Sequence, residues 1–312
     1  MSKIDRRTML KLMGAGAAAA AMGPLDLAAE ESPGTGPLTK KIPSSGEELT
    51  VIGMGTWQTF NVGGDPKLRK DRTRVLEAFF QGGGEMVDSS PMYGSSQDVM
   101  GYALERLGHP KQLFSADKVW TRDGGATREQ VAESADKWNI DRFDLMQVHN
   151  LLSWEEHLAT LYEMKEAGEI RYVGITTSHG RRHGDFERIM KTKDLDFVQL
   201  SYNLVDRDVE ERLLPLAREK GIAVIANRPF DGGSLVDRFQ DPDHPLPGWA
   251  SEFDIANWPQ FLLKFIVSHP AVTCAIPATT KVEHMRENMG AAHGRMPDEK
   301  TRQRMLKYVR TL

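Results

Sequence analysis

A single cysteine, Cys274, occurs in the 312 residues, so no disulfide can form within one chain and thiol content points to neither an oxidising nor a reducing compartment. Cys274 lies in the apolar run Val272-Thr273-Cys274-Ala275-Ile276, a setting for a buried structural thiol rather than a nucleophile. Histidine is sparse as well. His149, His157, His179 and His183 lack the paired carboxylate or thiolate spacing of a metal centre, so no metal site is expected. Basic blocks are missing beyond Arg6-Arg7 and Arg181-Arg182, and the net charge is -4, which excludes the cationic footprint of a nucleic-acid binder. No strongly apolar run approaches the ~20 residues of a comfortable membrane span, so none is expected in the mature protein. What is present is ordinary globular composition, 40% hydrophobic and 27% charged, with enough chain to enclose a large core.

The N-terminus reads as an address rather than as structure. Asp5-Arg6-Arg7-Thr8-Met9-Leu10-Lys11 is followed by a weakly apolar Gly/Ala stretch from Leu12 to Met22. Paired arginines before a mildly hydrophobic segment resemble a twin-arginine export signal. The expected organisation is a signal peptide over residues 1–29, cut near Leu27-Ala28-Ala29, then a Gly/Pro/Ser-rich linker over residues 30–46 and one domain over residues 47–312. The resemblance implies the twin-arginine export machinery as a partner and a periplasmic destination.

Beyond the linker, short β-like runs alternate with amphipathic helical stretches, the pattern of a parallel sheet with crossover helices. The predicted strands are Val51–Gly55, Glu85–Asp88, Leu113–Lys118, Asp144–His149, Tyr172–Thr176, Phe197–Ser201, Ala223–Asn227 and Val272–Ile276. Thr127 with Gln130 and Ser153 with Glu156 fit helix-starting capping boxes. Val99, Ala103 and Leu107 mark one helix face, and Gly221 suits a left-handed C-cap. Eight βα units over this length predict a single (β/α)8 barrel. A doubly wound sheet would want G-x-G-x-x-G in its first turn, and Gly53-Met54-Gly55-Thr56-Trp57-Gln58 lacks the third glycine. The polar stretch from Asp231 to Asn257 is expected to run over the barrel mouth. Trp57, Trp120, Trp154, Trp249 and Trp258 are candidates for an aromatic rim.

In such a barrel the C-terminal strand ends converge on one face. Three of them carry four residues with chemistry: Asp88 and Tyr93 at the second strand, Lys118 at the third and His149 at the fourth. The run Val87-Asp88-Ser89-Ser90-Pro91-Met92-Tyr93-Gly94, with Lys118 and His149 following in order, resembles the aldo-keto reductase signature, and the resemblance extends from about Thr50 to Ala292. It implies reduction of an aldehyde or ketone, a small-molecule substrate, by hydride from NADP(H), with NAD(H) the alternative cofactor. Each residue type suits that reaction. A carbonyl accepting hydride develops alkoxide charge and needs a proton donor, Tyr93. An ammonium beside the phenol, Lys118, is expected to lower its pKa. Asp88 would hold that ammonium in place. His149 would orient the carbonyl oxygen, and Trp57 would line the substrate pocket with Tyr93 and His149.

The same resemblance implies the cofactor contacts. Thr56 in the first turn, Thr176 and Thr177 after the fifth strand, and Gln199 on the sixth are expected at the nicotinamide end. Asn227-Arg228-Pro229-Phe230 stands where the family commonly has an aromatic or small residue, then Ser-Pro-Leu. Asn227 cannot stack on a ring, and Arg228 brings a cation to the pyrophosphate or the mouth. Gly232 and Gly233 could offer backbone N–H groups to phosphate. Thr279, Thr280, Lys281, His284, Glu287 and Asn288 resemble the adenosine-binding segment, with Ala278 replacing a lysine often found there. His179-Gly180-Arg181-Arg182-His183 is expected to be a solvated loop. Two other functions remain open: a cofactor-holding or sensory barrel without catalysis, and a sugar-binding periplasmic protein. The intact tetrad argues against the first, and the lack of two domains about a cleft argues against the second.

Overall fold

The computed structural model describes residues 36–312, and the export-signal segment lies outside them. The described chain opens with an antiparallel hairpin, β1 (Thr39–Lys41) and β2 (Glu48–Thr50). Eight parallel strands follow: β3 (Met54–Gly55), β4 (Met86–Asp88), β5 (Phe114–Val119), β6 (Leu145–Val148), β7 (Tyr172–Thr176), β8 (Phe197–Ser201), β9 (Ala223–Asn227) and β10 (Cys274–Ala275). They pair in sequential order from β3 to β10. A bridge between Ile52 and Ala275, with Gly53 N–H donating to Ala275 O at 2.9 Å, brings the last strand back to the first. The sheet is thus a (β/α)8 barrel, and each of its eight strands falls within or against a predicted one.

Alternation along the strands explains both layers of the core. Val87, Val119, Met146, Val173, Val198 and Val224 face outward to the helices. Met86, Phe114, Leu145, Tyr172, Phe197 and Ala223 face inward, and they share a cluster with Ile42 and Leu49 of the hairpin. With a side-chain period of two, the next inward positions up the strands are Asp88, Ala116 then Lys118, Gln147, Gly174 then Thr176, and Gln199. The barrel interior therefore turns from apolar to polar towards the C-terminal strand ends. Gly174 is required in that stack: a Cβ there would lie 2.8 Å from Phe197 O and 3.1 Å from Gln147 Cγ.

The first strand and turn of the hairpin fall in the expected linker and its second strand in the expected domain, and together they form the plug of the barrel's lower end. Ile42 and Leu49 are buried beneath the interior aromatics. Lys40 Nζ donates to Val267 O, His269 O and Val272 O at 2.7, 2.9 and 2.6 Å. The apolar residues that identify it are only two, and Pro43-Ser44-Ser45-Gly46 between them looks like linker while making the turn, with Gly46 at φ 77°.

Neither predicted capping box forms. Thr127 Oγ1 donates to Gly124 O at 2.6 Å, and Gln130 Oε1 accepts from Trp120 N–H. Ser153 sits in the left-handed region at φ 43° with its hydroxyl on Arg122 O. Both pairs serve loops at the barrel mouth, which compete successfully for short polar side chains. Gly221 does end the helix Leu213–Lys220 in the left-handed conformation. The stretch 231–257 is less polar in effect than in composition: Leu235, Phe239, Ala250, Phe253 and Ile255 are buried, and Phe239 stacks on Trp258 at 4.9 Å. Among the described residues no helix is long and apolar enough to cross a membrane.

Candidate active site

The polar upper layer of the barrel is a continuous network. Lys118 Nζ donates to Asp88 Oδ2 at 2.5 Å and to Ser89 O at 2.6 Å, with both side chains sealed from solvent. The other carboxylate oxygen, Asp88 Oδ1, accepts from Gln199 Nε2 at 2.8 Å and Gln147 Nε2 at 3.2 Å. Four strands, β4, β5, β6 and β8, thus meet on one carboxylate. Burial alone would strip the Lys118 proton, but Asp88, with Tyr93, outweighs it and holds the lysine pKa above its usual value.

Tyr93 ends the short 3-10 turn Pro91–Tyr93, which Ser90 starts by accepting Met92 N–H on its hydroxyl. The Tyr93 ring centroid lies 5.1 Å from Lys118 Nζ, and the ring meets that of His149 edge-on at 5.7 Å. Burial pushes the phenol up to about 12 against the pull of the Lys118 ammonium. The Lys118 charge lowers the phenol pKa as expected, and desolvation, which residue type alone does not disclose, outweighs it. For His149, burial first and then the Lys118 charge drive the imidazole pKa down to about 2, so the ring is neutral. Its Nδ1 lies 2.7 Å from Ser90 Oγ.

Of these groups Asp88, Tyr93 and His149 line one end of a cavity of about 510 Å³, while Lys118, Gln147 and Ser90 are sealed behind its wall. Thr56, Trp57, Thr176, Thr177 and Gln199 line it too, as do Asn227, Arg228, Pro229, Phe230, Gly232 and Gly233. Several have internal partners. Thr56 Oγ1 donates to Asp88 O at 2.9 Å, and Thr176 Oγ1 accepts from Asn150 N–H at 3.1 Å. Thr177 Oγ1 donates to Arg181 O at 2.6 Å. Asn227 Nδ2 donates to Thr177 O at 3.0 Å, and Gly233 N–H to Phe230 O at 2.9 Å. Arg228, at φ 51° in the left-handed region, is held by Asp231 at 2.5 Å.

Other expected residues lie elsewhere. Thr279, Thr280, Lys281, His284, Glu287 and Asn288 are not on the cavity wall, where this segment contributes Ile276 and Ala278; the first three precede the helix Val282–Gly290, the last three lie on it, and Thr279 and Asn288 are buried. Of the tryptophans only Trp57 lines the cavity. Trp249 and Trp258 pack with Phe261 and Tyr308 behind the mouth. The loop expected to be solvated is exposed at His179, Gly180, Arg181 and Arg182, and its His179 and Arg181 also line the cavity. Sequence reasoning also missed Gln147, although a polar residue two positions before His149 on the same strand face was a usable signal. Ser90 gave none beyond being one of two adjacent serines.

Residues 51–304 match the model of the Aldo/keto reductase family. The chain belongs to the aldo/keto reductase family. Among its relatives, the NADH-specific methylglyoxal reductase of Escherichia coli (strain K12) is 30% identical over 241 residues, 63% of this chain and 69% of the relative. Aldo-keto reductase str7 of Strobilurus tenacellus is 24% identical over 303 residues, 84% of this chain and 89% of the relative. A solved aldo-keto reductase from Klebsiella pneumoniae, in complex with NADPH, matches with a TM-score of 0.72 at 23% identity, over 87% of this chain and 94% of that one; this likeness concerns the fold. As an aldo/keto reductase the chain is an oxidoreductase, and its Asp88, Tyr93, Lys118 and His149 converge where the barrel opens.

Proposed function

We propose that the protein reduces an aldehyde or ketone, with Tyr93 donating the proton to the carbonyl oxygen. The observation that carries this reading is the meeting of a protonated phenol, a sealed Asp88–Lys118 pair and a neutral imidazole at one end of a single cavity. Bound nicotinamide dinucleotide supplies hydride. The wall suits such a group: hydroxyls and amides of Thr176, Gln199 and Asn227 line its floor, and Arg181 and Arg228 add positive charge where a pyrophosphate would run. The segment from Thr279 to Asn288 would meet the adenosine end beyond the Ile276 lip, and with Lys281 and His284 there NADPH is the preferred form, NADH the second.

Each side chain has a stated task. His149 directs the carbonyl oxygen towards the Tyr93 hydroxyl. Lys118 lowers the cost of the phenolate left behind, and Asp88 keeps Lys118 charged. Trp57 and Met92, 40% and 36% exposed, give the substrate an apolar rim. Mixing the protein with a panel of carbonyls and following oxidation of NADPH and NADH tests the reading; cofactor binding without turnover on any carbonyl would favour a non-catalytic holder.

The same assay has a pH signature. Tyr93 stays protonated well above neutrality and His149 stays neutral well below it. The rate of reduction is therefore expected to be level from roughly pH 6 to 9, as far as these two groups set it. A falling limb with a midpoint in that window would move the acid role to another group.

Export rests on Arg6-Arg7 and the stretch Leu12 to Met22. We propose passage through the twin-arginine machinery as a folded protein with its dinucleotide bound, to the periplasm. Changing Arg6 and Arg7 together to Lys is expected to retain the protein in the cytoplasmic fraction, and unaltered fractionation overturns the proposal.

A further inference from the structure

We propose that Ser90 is a positioning residue that fixes the tautomer of His149, its hydroxyl donating to Nδ1 so that the ring proton sits on Nε2. The proposal rests on the reading of His149 as the group that orients the carbonyl. The argument is one of counting protons. Ser90 is fully buried and His149 only 5% exposed, so solvent offers the hydroxyl no ready alternative partner. Among the described residues, Ser90 Oγ has two polar neighbours: Met92 N–H, 3.2 Å away, and His149 Nδ1, 2.7 Å away. The Met92 amide can only donate. If Nδ1 also carried a proton, the Ser90 oxygen would accept twice and its own hydrogen would have no acceptor, a costly state for a buried hydroxyl. With Nδ1 unprotonated, every donor in the chain has an acceptor: Met92 N–H to Ser90 Oγ, and Ser90 O–H to His149 Nδ1.

The consequence falls on the other nitrogen. A neutral imidazole carries one proton, and an acceptor Nδ1 places it on Nε2. Nε2–H is a donor, which a carbonyl oxygen requires; the opposite tautomer would present a lone pair and repel it. The Ser90 backbone is extended, φ -166° and ψ 148°, and the Pro91–Tyr93 turn begins at this residue. One serine thus starts the turn that carries the proton donor and orients the ring of the carbonyl-binding group. Burial and the nearby Lys118 ammonium keep that ring neutral, so tautomer rather than protonation state is what remains to be set.

The test is nitrogen NMR of the 15N-histidine-labelled full chain, with the His149 signals assigned by their loss in His149→Gln. Wild type is expected to show a protonated Nε2 and an acceptor Nδ1. Ser90→Ala is expected to give a mixture of the two tautomers. Its kcat/KM for a carbonyl falls about tenfold, chiefly through KM, while the Kd for NADPH stays within about twofold. A wild-type proton on Nδ1 overturns the assignment, and so does an unchanged tautomer in Ser90→Ala, whatever its activity. A mixed tautomer with unchanged kcat/KM overturns the link to the reaction. If Ser90→Ala fails to fold, the wild-type spectrum alone decides. Should wild type reduce no carbonyl at all, the reductase reading fails while the spectrum still decides the tautomer.

Discussion

Tyr93→Phe is expected to reduce carbonyl turnover by about a hundredfold or more while leaving the Kd for NADPH within a few-fold. The substitution removes one hydroxyl and keeps the ring, so the edge-on contact with His149 and the position over Lys118 survive. Only the transferable proton is lost. Steady-state NADPH oxidation beside cofactor titration measures both quantities. A variant keeping more than about a tenth of wild-type turnover has lost less than ~1.4 kcal/mol of transition-state stabilisation, and Tyr93 is then not the acid.

Lys118→Met should lower turnover about as severely, and it should also destabilise the fold, which Tyr93→Phe should not. The ammonium is fully buried and the side chain of its partner Asp88 is only 2% exposed. Removing one member of a buried pair leaves an uncompensated charge, typically a loss of roughly 3–5 kcal/mol; the amides of Gln147 and Gln199 on Asp88 Oδ1 place the expectation at the lower end. Thermal unfolding measures this part. On turnover, Tyr93→Phe with Lys118→Met should be little worse than either alone, since a lysine that acts through the phenol has nothing to do once the hydroxyl is gone. Losses that multiply would show two independent roles.

Most of the barrel was legible because its strands announce themselves twice, by apolar runs and by the turn residues between them. Asp88, Lys118 and His149 were legible as polar residues at strand ends, where packing gives no reason for them. The rest depended on what sequence does not carry. Ile42 and Leu49 become core only because the lower end of a closed barrel needs a plug. His179 and Arg181 line the cavity from an exposed loop whose path is set by left-handed residues, His179 at φ 59° and Gly180 at φ 64°. The hydroxyls of Thr127 and Ser153 had a forward amide in prospect, and they turned back instead to Gly124 O and to the distant Arg122 O. Ser90 looked like one of two interchangeable serines, yet Ser89 pairs with Ser96 and Ser90 with His149.

The four-way junction on Asp88 bears on how the protein can be redesigned. Gln199 faces the cavity, but its Nε2 is committed to Asp88 Oδ1 and its Oε1 accepts from Asn227 Nδ2 at 3.3 Å. An engineer who replaces Gln199 on β8 to retune cofactor choice also unclamps the carboxylate that holds Lys118, and so disturbs Tyr93, which follows β4 four strands away. Replacing Asn227 propagates through the same amide. The cavity wall and the Asp88–Lys118 pair share one hydrogen-bond network, so libraries that vary them separately are expected to yield mostly inactive combinations. Compensated changes, in which Gln147 and Gln199 are varied together with an amide donor to Asp88 retained, are the productive route.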